Sequence, residues 1–215
     1  PGQVDSIKKT LIDENIKQLT FLGKVSKTML LKRPKLEPRA IELLRETPKL
    51  NDDAIMLKVI EEMEKIGITI LDQTIFIKSL MVQKGVMTKL KPTEAQLIDI
   101  EYGYKTAKQM GQLDIGQSVV MKDRMILAVE AIEGTDKCIK RGAKLARGKG
   151  CTVVKVAKPK QDKRFDIPAV GLRTLKTMKR YGANVLALES NETIMVEQAE
   201  MIKFADRNNM IIMAF

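Results

Sequence analysis

Short apolar runs alternate with segments of helical period along the whole chain, and this restricts it to an α/β fold: a parallel or mostly parallel sheet with helices on its faces. Val4, Ile7, Leu11 and Ile12 share one helical face, and QLTFLG then reads as a short strand stopped by Gly23. A second helix is expected near Leu36. A third follows Asn51 as N-cap, with Asp52 and Asp53 in its first turn and Gly67 as its stop, and Ile68 to Leu71 forms a buried strand.

At TKLKPTEAQ the pattern breaks. Pro92 ends one element, and Thr93 with Gln96 gives a capping-box signature for a helix whose apolar positions are Leu97, Ile100, Tyr104, Ala107 and Met110, closed by Gly111. This helix, 92–112, is expected to connect a domain of residues 1–91 to a second domain of residues 113–215. In the second half, GQSVVM and MILAVEAI form an antiparallel hairpin about Lys122-Asp123-Arg124. Thr135 caps a helix that ends near Gly148. Strand 151–157, a helix after Gly171, strand 184–188, a short strand near Ile194, a helix from Glu197 and a last strand, MIIMAF, complete a mixed α/β domain.

With 215 residues, 44% of them hydrophobic, the chain can bury a real core. A formal net charge of +11 favours a polyanionic partner: nucleic acid, an anionic bilayer or a phosphorylated metabolite. Only 4% of residues are aromatic and none is Trp, so few rings could stack on exposed bases, and acids alternate with the cations in most helices. Nucleic acid is therefore not the expected partner. Without His, and with Cys138 and Cys151 isolated, the chain has no zinc module and no disulfide framework; the cysteines read as small core residues of a cytosolic protein. The thirteen Met residues sit mostly at helical core spacings. No run of roughly 18 apolar residues suggests a membrane span. The chain opens on Pro1-Gly2-Gln3 without an initiator Met, and we expect it to be a fragment whose N-terminal part is missing.

Chemistry concentrates between Cys151 and Arg173, where a β-branched strand runs into Lys155, Lys158, Lys160, Lys163 and Arg164 around Asp166. Cations about one carboxylate at the mouth of a strand suit a phosphorylated ligand; the alternative is a solvated loop. Because the commonest general base is absent, acid–base work falls to carboxylates, Lys or metal-bound water. A free Asp, with a pKa of about 4, serves best by orienting water or ligating Mg²⁺ or Mn²⁺. Further carboxylates gather in VEAIEGTD. Alternation puts Glu130 on the face of Ala128 and Ile132, which leaves Glu133 in the loop as the freer ligand, and Thr135-Asp136 opens a helix whose N-terminus can receive a phosphate. Asp114 and Gln117 flank Gly116, and Gly23, Lys24 and Ser26 follow a strand where ligands commonly bind. No dinucleotide fingerprint, P-loop or Gly-x-Ser-x-Gly is present.

LDIGQSVV, AVEAIEGTD, KVAKPKQDKRFDIPAVGLRT and ADRNNM occur in an order and spacing that resembles the LpxI-type UDP-2,3-diacylglucosamine pyrophosphatases, closely over the second half and more loosely at FLGKVSK and KLKPTEAQLIDIEYGYKTAKQMG. The resemblance implies a truncated Rossmann-like N-terminal domain and a C-terminal catalytic α/β domain, lacking the Gly-rich strand-turn opening of the family. It implies a cytoplasmic enzyme of lipid A synthesis, peripheral on the inner membrane, with a homodimer as its assembly. The implied reaction is Mg²⁺-assisted attack of water on the α-phosphorus of a lipid-linked UDP-sugar, giving UMP and 2,3-diacylglucosamine 1-phosphate. The family's essential aspartate falls on Asp166. Substrate-binding positions are then expected at Lys155, Lys158, Gln161, Arg164, Thr135, Gln117, Gly23 and Lys24, and metal ligation at Asp166, Glu133 and Asp136. The alternative is a non-catalytic protein that binds a sugar nucleotide or nucleic acid.

Overall fold

A computed structural model describes residues 2–23, 36–47 and 52–215 of the chain. The described residues through Ile77 form one compact unit together with Asp162–Asp166, and Lys78–Gln161 with Ile167–Phe215 form the other.

In the first unit the order is α1 (Val4–Asp13), β1 (Gln18–Leu19), α2 (Pro38–Glu46), α3 (Asp52–Lys65), β2 (Thr69–Ile70) and α4 (Thr74–Ile77). Proline opens α2, where its missing N–H removes no intrahelical bond. The two short strands pair in parallel, Leu19 opposite Ile70. Val4, Leu43, Ile60, Met63, Ile68 and Ile70 make the core, with Leu11 packed against it, whereas Ile7 and Ile12 of the expected α1 face remain exposed. Glu62 of α3 is 2% exposed yet ionically satisfied: it accepts from Lys8 of α1 at 2.9 Å, Arg39 of α2 at 2.8 Å and Lys65 at 2.7 Å. One carboxylate thus ties three helices. The expected Asn51 cap lies outside the described residues.

The second unit contains β3 (Gly85–Val86), α5 (Glu94–Gln112), β4 (Ser118–Lys122), β5 (Met125–Val129), α6 (Thr135–Leu145), β6 (Thr152–Lys155) and β7 (Ala169–Val170). It continues with α7 (Leu172–Tyr181), β8 (Val185–Leu188), β9 (Ile194–Met195), α8 (Gln198–Arg207) and β10 (Ile211–Ala214). Six strands form a mixed sheet in the order β3-β10-β8-β6-β4-β5; β10, β8 and β6 are parallel, while β3, β4 and β5 run against their neighbours. Helical crossovers through α7 and α8 make the centre parallel. The β4–β5 hairpin turns on Asp123 (φ 50°) and Arg124 (φ 62°), the two left-handed positions that match strand twist, and Asp99 of α5 accepts both their N–H groups at 3.1 and 2.6 Å. Among the described residues no helix is long and apolar enough to cross a membrane.

Alternate strand residues face opposite layers. Val120, Ala128, Val153, Leu186 and Ile212 pack with residues of α6, α7 and α8, such as Ile139, Leu175 and Met201. On the other face Val119, Met121, Val154 and Val185 pack with Ile100, Ala107 and Met110 of α5. The capping box at the start of α5 is complete, with Thr93 N–H donating to Gln96 Oε1 at 2.9 Å and Gln96 N–H to Thr93 Oγ1 at 3.3 Å. This helix was expected to join two domains at residues 92–112. It instead belongs to the second unit, because its small residues Gly103 and Ala107 let it lie directly on β4 and β6, and the chain divides at Ile77/Lys78. In α6 the same device is Gly142, where an added Cβ would stand 2.6 Å from Val120 Cβ. Gly142→Ala should therefore destabilise the fold by about 1–3 kcal/mol through overpacking, despite the better helix propensity of Ala. Urea unfolding checks this, and an unchanged or raised midpoint would show that the helix has room to move.

Candidate functional site

The carboxyl end of β6 is Lys155, directly opposite Ser118 at the start of β4, and the Glu130 N–H after β5 donates to Ser118 O at 2.8 Å. Two residues earlier or later on these strands stand Val153, Val120 and Ala128 of the α6 core, so Lys155, Ser118 and Glu130 form a polar row on that same face. All three are buried, Lys155 to 6% exposure and Glu130 to 8%. The first turn of α6 brings Thr135 into the row. Its hydroxyl donates to Glu130 Oε1 at 2.9 Å and accepts from Lys155 Nζ at 3.2 Å, and Lys155 also donates to Ala169 O at 3.0 Å.

Two atoms of this row, Glu130 Oε2 and Ser118 Oγ, are buried without a hydrogen-bond partner among the described residues. Buried polar groups are ordinarily paired, so such a pair beside a buried ammonium is a candidate place for an ordered water or a polar ligand to complete the bonding. The row depends on Gly116. A Cβ there would lie 2.2 Å from Glu130 O, so any other residue would force the entry to β4 away from the end of β5.

Gln117 joins the same strand ends through its backbone: its carbonyl accepts from Val156 N–H at 3.0 Å, and its Oε1 is buried without a hydrogen-bond partner among the described residues. The chain leaving β6 is then held from two sides. Lys158 Nζ meets Asp114 at 2.7 Å, and Lys158 N–H donates to Gln161 Oε1 at 2.7 Å. Lys108 of α5 pairs with Glu189 at 2.7 Å, and Glu189 in turn accepts from Ala157 N–H at 2.7 Å. The structure therefore gathers Thr135 and Lys155 directly and places Lys158 and Gln161 together on the following segment, whereas Gln117, one residue before Ser118, falls by alternation on the opposite, α5 face of the sheet.

Other expected residues are placed differently. Glu133, read as the freer acid, accepts from Arg141 at 2.5 Å and from Ala131 N–H at 3.2 Å; against the opposing pull of burial, the guanidinium holds its carboxyl below the usual range. Asp136 pairs with Arg173 at 2.9 Å. Thr135 does not cap its helix, because Gly134 occupies that position and the hydroxyl is committed to Glu130 and Lys155. Cys138 and Cys151 are core thiols as expected, pushed up to about 12 and about 11 chiefly by burial.

Asp166 and Arg164 belong to the first unit. Their segment is anchored there by Phe165 on the core, by Gln73 N–H donating to Lys163 O at 3.1 Å, and by Arg164, which closes on Asp162 at 2.8 Å and reaches Glu64 at 3.3 Å. That guanidinium holds the Asp162 carboxyl below its usual range. Asp166 is half-buried, and its N–H donates to Asp162 O at 2.9 Å. Gly23 is exposed in the first unit, and Lys24 and Ser26 lie outside the described residues. Among the described residues no three Cys, Asp or Glu side chains gather as a metal site, and Glu133 and Asp136 each face an arginine. The carboxylates expected to hold Mg²⁺ or Mn²⁺ do not fit a resident metal within either unit.

Glu130 lies on the face of Ala128 as expected, though Glu133 was preferred to it as a ligand, and Ser118 and Asp162 were not expected at all. For Glu130 the signal was present: an acid on the apolar side of a strand needs a reason to be there.

Taken together, the chain is a two-unit α/β protein with a buried cation and unsatisfied polar atoms at the carboxyl ends of its strands, where α/β sheets commonly place ligands. The family described as LpxI N-terminal domain matches residues 1–80 and that described as LpxI C-terminal domain matches 83–213, so the two matches meet near the observed division. The chain belongs to the LpxI family. It is 30% identical over 220 residues to the UDP-2,3-diacylglucosamine pyrophosphatase LpxI of Caulobacter vibrioides, an alignment that covers 95% of this chain and 76% of that relative.

Proposed function

We propose that this protein hydrolyses the diphosphate of UDP-2,3-diacylglucosamine, giving UMP and 2,3-diacylglucosamine 1-phosphate. Family membership supports the substrate, and the observation that carries the site is the buried Lys155 ammonium beside two unsatisfied polar atoms at the strand ends. Lys155 and Lys158 offset diphosphate charge, while Gln161 and the Thr135 hydroxyl orient its oxygens. Asp166 accepts a proton from the attacking water as the new P–O bond forms and the bridging P–O bond breaks. A divalent cation belongs to this proposal as the counter-ion of the diphosphate, since Mg²⁺ keeps most of its waters and readily binds through substrate phosphates. Arg164 contributes by fixing the Asp166 segment through Asp162. The proposed setting is the cytoplasmic face of an anionic membrane, with the protein as a homodimer.

Incubation with UDP-2,3-diacylglucosamine and Mg²⁺ should release UMP, and binding without release would favour the non-catalytic sugar-nucleotide reading. In H₂¹⁸O, the expected attack at the α-phosphorus puts the label in UMP; label in the sugar phosphate moves the attack to the β-phosphorus. Lys155→Met should raise KM by roughly tenfold or more, the loss of a charge-assisted hydrogen bond. An unchanged KM would remove Lys155 from the binding site.

A further inference from the structure

Among the described helices, unbalanced positive charge gathers on one pair. From Thr135 to Lys149 and from Leu172 to Tyr181 there are ten Lys and Arg against a single acid, Asp136, in a chain whose whole excess of cations is eleven. Elsewhere the helices balance their charges locally: Lys58 meets Glu61, Lys105 meets Glu101 and Arg39 meets Glu42 within one turn. On α6, Lys137, Lys140, Arg141 and Lys144 recur at helical spacing, all exposed, and form one stripe. The four cations of α7 are also exposed. The stripes are contiguous, because α6 and α7 pack side by side and Tyr181 receives Lys140 from α6 and Arg180 from α7, each 5.6 Å from its ring. Only Arg141 and Arg173 have acids, and Lys137 and Lys144 make no ion pair among the described residues.

We propose that this α6–α7 face docks the protein on an anionic phospholipid bilayer. Like charges held side by side destabilise the free fold, and a partner of opposite charge relieves them. Leu145, 62% exposed, lines a shallow depression with the α6 cations and offers an apolar contact at headgroup level. Neither helix carries an Asn or Gln to read base edges. The choice of a lipid surface also rests on the proposed function, whose substrate carries two acyl chains; the location of the docking face does not.

The test is sedimentation of the protein with vesicles of phosphatidylglycerol and phosphatidylcholine, set against vesicles of phosphatidylcholine alone, over a range of salt. Binding should require the anionic lipid and weaken as salt rises. The triple variant Lys144→Gln, Lys176→Gln, Lys179→Gln should bind at least tenfold more weakly. Lys84→Gln, Lys89→Gln, Lys91→Gln, an equal loss of charge from exposed lysines elsewhere in the same unit, should bind like wild type. Neither variant should melt below wild type, the α6–α7 variant melting at or above it as like charges are removed, and both should hydrolyse substrate presented in neutral detergent micelles at the wild-type rate. Equal weakening by the two variants, no preference for anionic lipid, or tighter binding of duplex DNA than of vesicles at the same salt each overturns the docking face. A wild type that binds vesicles through this face but releases no UMP overturns the proposed function and leaves the docking face standing.

Discussion

Asp166→Asn should lower kcat for UDP-2,3-diacylglucosamine hydrolysis by roughly 10²–10⁴-fold, the range for loss of a positioned proton acceptor, while KM and melting temperature stay near wild type. Asparagine keeps the shape of the side chain but exchanges one acceptor oxygen for an NH₂ donor and cannot take the proton. The separation of rate from stability is expected because Phe165, Arg164 and the backbone of Lys163 anchor the segment to the first unit. Steady-state kinetics with UMP release as readout checks the result. Turnover within a few-fold of wild type would assign the proton transfer to another group.

Glu62→Gln should cost about 2–3 kcal/mol of stability in the first unit, because it strands the cations of three helices around a site only 2% exposed. Its pH dependence has a definite sign. Arg39 above all, with Lys65 and Lys8, holds the folded carboxyl well below the ordinary value of 4.5, against the opposing effect of burial. The stabilisation is therefore fully present above about pH 4.5 and is lost as pH falls from there toward the folded value. The gap between wild type and variant in thermal unfolding should be widest near neutrality and shrink below pH 4.5. A gap that grows with acid would mean that the carboxylate is not the group holding these helices.

How far the sequence carried depends on the range of the interaction concerned. The capping box at Thr93 and Gln96, the hairpin at Asp123-Arg124 and the strands of the second half were legible because each is decided within a few residues. The fate of helix 94–112 was not, since its membership depends on Gly103 and Ala107 meeting a sheet whose strands come later in the chain. Glu133 and Glu130 show the same limit at the candidate site. Both acids lie in VEAIEGTD, but Arg141 lies two turns into α6 and occupies the loop acid, while the row across three strands buries the other and leaves one of its oxygens unpartnered.

By itself the sequence determined that this is an α/β protein of the LpxI family, with no His for acid–base chemistry and a strong positive excess, because period, composition and motif order are carried by the residues whatever surrounds them. Only the tertiary structure decided that residues 162–166 return to the first unit, that Lys155, Thr135, Ser118 and Glu130 share one buried row, and that the exposed cations of α6 and α7 form one contiguous face. Each of these joins residues far apart in the chain, and packing against a common core, which no local pattern encodes, is what brings them together.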